Sequence, residues 1–180
     1  MTVEETFLKD CFIIKPSVFE DDRGYFMESF NSIQFEEKTG IKTTFVQDNE
    51  SYSSYGVIRG LHAQGGIYAQ AKLVRVLKGE VLDVVVDARK DSATYGEKFE
   101  IILSAKNKLQ LFVPKGFLHG FAVLSETATF FYKCDEFYKK DSEFGVIYND
   151  ADLNIDWQIP LEKRIVSEKD KGLPLFSSLS

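Results

Sequence analysis

The two histidines of this chain are the side chains that best suit proton transfer near neutral pH. One ends the run RGLH at residues 59–62, and the other ends the run PKGFLH at residues 114–119. Free imidazole has a pKa of about 6.5, so it takes up and releases protons at physiological pH. The same property suits a structural histidine held by hydrogen bonds, and spacing alone does not separate the two roles for His62 or His119.

A metal centre built on these histidines is the first alternative. Residues 56–79 and the PKGFLH run resemble the two motifs of the cupin superfamily, whose jelly-roll barrel holds its site inside the barrel mouth. Metal-binding cupins usually carry His-x-His, a Glu and a second-motif His, but here Ala63 and Gln64 follow His62. Zinc and iron sites need three or four protein ligands. We therefore expect no metal and no other cofactor.

Lys72 stands near the position at which a metal-binding cupin carries its acidic ligand. An ammonium group stabilises a developing enolate oxygen as a metal ion would, but without coordination, so this residue points to carbanion chemistry. Strand alternation places Lys72 on one face with Val74 and Val76. The alternative is a strand-end lysine whose charged end reaches solvent.

Length and composition favour one folded domain over residues 1–180. The chain has 44% hydrophobic and 14% aromatic residues, which is enough to build a sizeable core. Its formal net charge of −6 argues against binding to nucleic acid or to an anionic membrane surface. Any phosphate-binding site must therefore be a local basic pocket.

Cysteine usage and the N-terminal residues favour a cytoplasmic location. Cys11 and Cys134 lie in apolar or aromatic surroundings without a CxxC pair, which predicts buried free thiols. The first ten residues, MTVEETFLKD, lack the basic-then-apolar order of a secretion signal. No run of residues reaches the roughly 18 apolar residues of a membrane span.

Alternation of apolar and polar residues predicts that residues 41–135 are mostly β-strand. Strands at 72–76 and 81–86 are expected to form a hairpin through residues 78–80. Further strands are predicted at 98–103, 110–113, 120–124 and 127–133. A helix is predicted at 32–38, capped by Asn31 or Ser32, and a second short helix within 160–170. Short strands at this spacing indicate an all-β jelly-roll barrel or sandwich with a few short peripheral helices.

Eight short segments between Phe19 and Pro174 match the pattern of one known family. They are FxDxRGxFxE (19–28), FVQDN (45–49), RGLH (59–62), AQAKLVRV (69–76), PxGFxHGF (114–121), YK (132–133), ND (149–150) and SEKD (167–170). Together these segments resemble the dTDP-4-dehydrorhamnose 3,5-epimerases, and the match covers nearly the whole chain.

The resemblance implies specific roles for four side chains. His62 removes a proton from the sugar, Asp170 pairs with its imidazole, Tyr132 returns a proton on the opposite face, and Lys72 stabilises the enolate oxygen. Independently of the family, inversion beside a ketone requires a base, a proton source and charge stabilisation at the carbonyl oxygen. The family's substrate-binding positions match Arg23, Glu28, Gln47, Asn49, Arg59, Lys72, His119, Glu143 and Lys169.

The reaction implied by the resemblance is metal-free epimerisation of dTDP-4-dehydro-6-deoxy-D-glucose at C3 and C5 to dTDP-4-dehydro-L-rhamnose, in dTDP-L-rhamnose biosynthesis. The resemblance also implies a homodimer whose N-terminal arms, bearing Arg23 and Glu28, cross to the partner's site. Three alternatives stay open at this point: a 3-epimerase or 5-epimerase for a related dTDP-4-keto-deoxysugar, a non-catalytic sugar-binding module, and a metal-dependent cupin enzyme.

Two positions depart from the family pattern. Ala63 follows the histidine where many members have an aromatic residue, and Glu50 follows Asn49 where many have histidine. We expect both positions to flank the pocket, and loss of an aromatic wall at Ala63 to widen the sugar site.

Overall fold

The computed structural model describes residues 1–179, and two stacked β-sheets form most of it. The first sheet is antiparallel throughout. It consists of β1 (Thr2–Glu5), β2 (Phe12–Lys15), β5 (Gln47–Ser54), β7 (Lys72–Lys78), β10 (Gln110–Val113) and β12 (Thr127–Cys134). The spatial order is β1-β2-β10-β7-β12-β5, so β7 and β12 are adjacent strands with a partner on each side.

The second sheet carries the two histidines. It consists of β6 (Val57–Gln64), β8 (Glu80–Asp87), β9 (Lys98–Ser104), β11 (Phe117–Val123) and β13 (Glu143–Gly145) in the order β13-β6-β11-β8-β9, with β14 (Ile165–Val166) parallel to β6. A separate N-terminal hairpin is formed by β3 (Val18–Asp21) and β4 (Gly24–Met27).

Apolar side chains fill the space between the sheets and also cover their outer faces. The interior cluster joins Val74 and Phe130 of the first sheet to Val81 and Val85 of the second. A second cluster packs the other face of the second sheet around Trp157, which is fully buried. Because β8 and β11 are buried on both faces, they consist mainly of apolar residues. The all-β prediction, with two sheets packed as a sandwich, is confirmed.

The predicted hairpin between residues 72–76 and 81–86 is wrong, although both strands exist. β7 pairs with β10 and β12, whereas β8 pairs with β9 and β11 in the other sheet. Gly79 turns the chain from one sheet to the other with φ 78°. A Cβ at this position would lie 2.1 Å from the carbonyl oxygen of Thr127, so the corner requires glycine.

The helix predicted at 32–38 is confirmed as α1 (Ser32–Thr39). Asn31 caps it, because its side-chain oxygen accepts hydrogen bonds from the backbone N–H groups of Ile33 and Gln34 at 3.1 Å each. Residues 160–170 contain a 3₁₀ turn (Leu161–Lys163), the short strand β14 and the start of α2 (Glu168–Lys171).

The strands before residue 41, and also β13 and β14, lie outside the predicted elements. Further 3₁₀ turns lie at Gly66–Tyr68, Lys140–Ser142 and Phe176–Leu179. Within residues 1–179, neither α-helix has the length and apolar character needed to cross a membrane.

Candidate active site

A cavity of about 630 Å³ opens between the two sheets. The second sheet contributes His62, His119 and Phe121 to its wall, and the first sheet contributes Lys72 and Tyr132. The C-terminal segment that carries β14 and α2 closes one side. Other lining residues are Asn49, Glu50, Ser51, Val57, Ile58, Arg59, Gly120, Phe130, Ile165, Val166, Ser167, Lys169 and Asp170.

Strand pairing brings the two histidines together although 56 residues separate them in the sequence. His62 of β6 and His119 of β11 are directly opposite each other in the antiparallel register. Side chains of directly paired residues lie on the same face of a sheet, and here that face is the interior one. Lys72 and Tyr132 lie on the paired strands β7 and β12 of the facing sheet.

His62 forms a hydrogen-bonded pair with Asp170. The distance from the Nε2 of His62 to the Oδ1 of Asp170 is 2.8 Å, and Asp170 is buried. The backbone N–H of Gly60 donates to the other carboxylate oxygen at 3.2 Å. Asp170 therefore engages one edge of the imidazole and leaves Nδ1 free to act as the base.

Two local features hold Asp170 in this position. Ser167 caps α2, because its hydroxyl accepts a hydrogen bond from the backbone N–H of Asp170 at 3.1 Å. On the other side, Gly60 has φ 118°, and a Cβ there would lie 2.7 Å from the Cα of Gly120. Glycine at both positions lets β6 and β11 approach closely at the point where the Gly60 N–H donates to Asp170.

Asp170 stays ionised through the neutral pH range. Burial acts to raise the pKa of its carboxyl, but the hydrogen bond and the charge of His62, with the N–H of Gly60, hold that pKa below its usual value. A carboxylate in this position fixes the imidazole tautomer and stabilises the imidazolium that forms after proton abstraction, as in Ser-His-Asp triads.

Lys72 and Tyr132 are neighbours on the opposite wall. The Nζ of Lys72 lies 5.8 Å from the centroid of the Tyr132 ring. Burial lowers the pKa of the Lys72 ammonium, while nearby acidic groups including Glu143 and Asp83 oppose that change. Burial also raises the pKa of the Tyr132 hydroxyl, so this phenol keeps its proton at neutral pH and is able to donate it.

His119 forms a second histidine–carboxylate pair, which the sequence analysis missed. Its Nε2 lies 2.9 Å from the Oδ2 of Asp83, and the Asp83 side chain is fully buried. A sequence signal for Asp83 does exist: in β8 it shares the interior face with Val81 and Val85, and a carboxylate on an otherwise apolar face requires a partner.

The rim of the cavity is a network of polar contacts. Glu143 accepts hydrogen bonds from the Lys169 ammonium at 2.6 Å and from the Tyr138 hydroxyl at 3.0 Å. The Gln47 amide donates to Asn49 at 3.0 Å and accepts from the backbone N–H of Tyr138. Asn49 and Lys169 line the cavity itself, and Gln47 and Glu143 contact those lining residues from outside.

Arg23 and Glu28 are not brought to this cavity within the chain. Arg23 lies at the tip of the N-terminal hairpin, where its side chain is 90% exposed and pairs with Asp21. Glu28 accepts a hydrogen bond from the amide of Gln34 at 3.1 Å. Of the substrate-binding residues expected from the sequence, Asn49, Arg59, Lys72, His119 and Lys169 line the cavity.

The expectation that Ala63 borders the sugar site is wrong. Ala63 is 5% exposed and packs in the cluster around Trp157, on the face of the second sheet opposite to His62. The reason is that adjacent side chains of a strand point to opposite faces. Glu50 does line the cavity, as an exposed residue of the edge strand β5.

Cys11 and Cys134 are buried free cysteines, as predicted. Burial raises the pKa of the Cys11 thiol to about 12 and that of the Cys134 thiol to about 11, so both stay protonated at neutral pH. Among residues 1–179, no group of three or more His, Cys, Asp and Glu side chains is arranged to hold a metal ion.

Comparison with known proteins gives a consistent result across sequence and structure. The family model for dTDP-4-dehydrorhamnose 3,5-epimerase matches residues 5–178. An enzyme of that name from Shigella flexneri is 52% identical over 170 residues, which is 94% of this chain and 93% of the relative.

Two solved structures share the cupin-type fold of this chain. The crystal structure of dTDP-4-dehydrorhamnose 3,5-epimerase from Elizabethkingia anophelis NUHP1 superposes with a TM-score of 0.96 at 59% identity, covering 99% of this chain and 97% of that one. The Legionella pneumophila dTDP-6-deoxy-D-glucose-3,5-epimerase, in complex with dTDP-4-keto-L-rhamnose, gives 0.95 at 46% identity, covering 99% and 94%. This chain belongs to the dTDP-4-dehydrorhamnose 3,5-epimerase family.

Proposed function

We propose that this chain catalyses metal-free epimerisation of dTDP-4-dehydro-6-deoxy-D-glucose at C3 and C5, giving dTDP-4-dehydro-L-rhamnose for dTDP-L-rhamnose biosynthesis. The observation that carries the proposal is the His62–Asp170 pair on one wall of the cavity, facing Lys72 and Tyr132 on the other. These side chains match the base, proton donor and charge stabiliser that inversion beside a ketone requires.

His62 acts as the base through its Nδ1, because its Nε2 donates to Asp170. It takes the proton from the carbon next to the 4-keto group, and the electron pair of the broken C–H bond moves to the carbonyl oxygen. The Lys72 ammonium stabilises the resulting enolate. The enolate then collapses to the ketone as the Tyr132 hydroxyl gives a proton to the opposite face of the same carbon. Water restores the protonation of His62 and Tyr132 before the second carbon reacts.

The nucleotide part of the substrate is held by the polar and basic residues at the cavity mouth. Arg59 and Lys169 supply positive charge for the diphosphate, although the chain as a whole has a net charge of −6. Arg59 is itself held in place, because its Nε donates to the Ser53 hydroxyl at 3.1 Å. The related Legionella enzyme in complex with dTDP-4-keto-L-rhamnose supports a dTDP-linked ligand.

Turnover in D₂O tests the proposed reaction directly. Protonation from solvent-exchanged groups should place deuterium at both C3 and C5 of the product, which NMR or mass spectrometry measures. Prior treatment with EDTA should leave the rate unchanged. Label at C3 alone would instead support a 3-epimerase for a related deoxysugar, and label at C5 alone a 5-epimerase. Absence of exchange at both carbons would refute the epimerase proposal.

The N-terminal hairpin supports a homodimer with shared sites. Its Phe19 and Phe26 are 65% and 70% exposed, and Arg23 extends from its tip without reaching the cavity of its own chain. Exposed aromatic side chains that cluster on one element are typical of an interface. We therefore propose that the hairpin crosses to a partner subunit, where Arg23 and Glu28 contact the bound nucleotide.

Mixing two defective variants tests this exchange of arms. Arg23→Ala and His62→Asn should each have low activity as pure proteins. After the subunits are dissociated and reassembled together, mixed dimers should regain activity, because one of their two sites then has both an intact His62 and an intact arm. With random pairing, about a quarter of wild-type activity is expected. No recovery in verified mixed dimers, or a fully active monomer by sedimentation, would contradict shared sites.

The whole chain, residues 1–180, serves as one epimerase domain. A cytoplasmic location is supported by its two buried free thiols, which suit a reducing compartment.

A further inference from the structure

We propose that Asp83 is a positioning residue that acts through His119, holding the imidazole so that its Nδ1 accepts a hydrogen bond from a hydroxyl of the bound sugar. This inference rests on the proposed function, because it assigns the cavity to a sugar nucleotide. It adds a second histidine–carboxylate pair to the site, with a binding role separate from the proton abstraction by His62.

Asp83 needs a hydrogen-bond donor because it is buried. Its side chain is fully buried on the interior face of β8. A buried carboxylate is unfavourable unless a donor pairs with it. Among the described residues, His119 is its hydrogen-bond donor, through Nε2 at 2.9 Å, and Oδ1 of Asp83 has no partner. The proton that satisfies Asp83 must therefore be on Nε2 of His119.

The surroundings of His119 fix the rest of its orientation. The Phe130 ring stacks on the imidazole with centroids 5.9 Å apart and an interplanar angle of 26°. His119 also lines the cavity, and its Nδ1 has no hydrogen-bond partner within residues 1–179. With Nε2 protonated and bound to Asp83, Nδ1 of the neutral ring carries a lone pair, which makes it an acceptor for a hydroxyl group.

Asp83 is poorly explained by a purely structural role. Its neighbours on the same face, Val81 and Val85, are fully buried apolar residues of the interior cluster. A valine at position 83 would continue that apolar face without the desolvation cost of a carboxylate. The charge also acts on the opposite wall, where it raises the pKa of the Lys72 ammonium against the effect of burial. Asp83 thus supports two cavity residues while lying outside the reach of substrate.

A double-mutant cycle tests whether Asp83 acts through His119. Asp83→Asn should lower kcat/KM about 10- to 100-fold, the range expected for loss of a hydrogen bond that involves a charged group. The same substitution in the His119→Gln background should change kcat/KM by less than about twofold, because the imidazole that Asp83 positions is already absent. Asp91→Asn, an exposed carboxylate of a neighbouring loop, is the matched control and should leave kcat/KM unchanged.

NMR of the imidazoles gives a readout that does not depend on activity. The chain has two histidines, so ¹⁵N-histidine labelling yields two sets of ring signals. In the wild type, the Nε2-bound proton of His119 should exchange slowly with water. Asp83→Asn or Asp83→Val should accelerate that exchange, while the signals of His62 stay unchanged. If Asp83→Asn folds poorly, the same proton exchange is measured in Asp83→Val.

Each outcome of these measurements has a definite meaning. Equal losses from Asp83→Asn in the wild-type and His119→Gln backgrounds would overturn the proposal, as would wild-type kcat/KM in Asp83→Asn. A His119 proton signal that is insensitive to both Asp83 substitutions would also overturn it. Failure of the proposed function is distinguishable, because wild-type protein would then show no deuterium incorporation while the NMR result for Asp83 still stands.

Discussion

The His62→Asn variant is expected to lose about 10²- to 10⁴-fold in kcat, the loss typical of removing a general base. Asparagine preserves a side-chain amide that can donate to Asp170 but has no group able to accept the sugar proton. Since His62 is the proposed base for both carbons, deuterium incorporation at C3 and at C5 should fall together. Steady-state kinetics and NMR of the sugar in D₂O measure the two effects.

Measuring the affinity for dTDP distinguishes loss of the base from a wider disruption of the binding site. The basic and polar residues proposed to hold the nucleotide, including Arg59 and Lys169, are unchanged in His62→Asn. Affinity for dTDP by calorimetry should therefore stay within about twofold of wild type. A variant that retains more than a few per cent of wild-type kcat would show that another group removes the proton.

Tyr132→Phe is expected to uncouple proton abstraction from inversion. The base on the second sheet is intact, so the sugar still forms the enolate, but the donor on the opposite face is gone. His62 then returns a proton to the face from which it came. Because the His62 side chain is 26% exposed, its proton exchanges with solvent before it returns. Recovered substrate should thus gain deuterium at C3 and C5 with its configuration retained.

The expected loss of inverted product in Tyr132→Phe is about 10²- to 10⁴-fold. Tyr52→Phe is a matched control, because Tyr52 lies on β5, the strand paired with β12, but is exposed and does not line the cavity. Its turnover should equal that of wild type. Inverted product at the wild-type rate from Tyr132→Phe would refute its role as donor. Loss of both exchange and inversion would indicate that Tyr132 is also needed for abstraction.

Local sequence signals predicted the elements that local physics controls. Apolar alternation identified β7 and β12, which are half-buried, and short apolar, β-branched runs identified the fully buried β8 and β10. The Asn31 cap identified the start of α1, since the capping bonds reach only Ile33 and Gln34. Short strands such as β14, with two residues, carry too little pattern to be recognised.

Strand pairing and side-chain direction depend on contacts between distant parts of the chain. The hairpin predicted through Gly79 failed because β7 and β8 find longer-range partners in separate sheets. Ala63 was expected beside the sugar because it is adjacent to His62 in sequence. In the fold, Ala63 points to the face of β6 opposite to His62. Whether a given side chain faces the cavity is settled only when the structure shows which face of β6 lines it.

Residue types and motif spacing were sufficient to identify the family, and with it His62, Lys72 and Tyr132 as candidates for enolate chemistry. The pairing of His62 with Asp170 spans 108 residues, and it exists because α2 packs beside β6. The pairing of His119 with Asp83 likewise follows from the register of β11 on β8. Hydrogen bonds have short range and strict geometry, so packing of the sheets is what converts these separate residues into two histidine–carboxylate pairs.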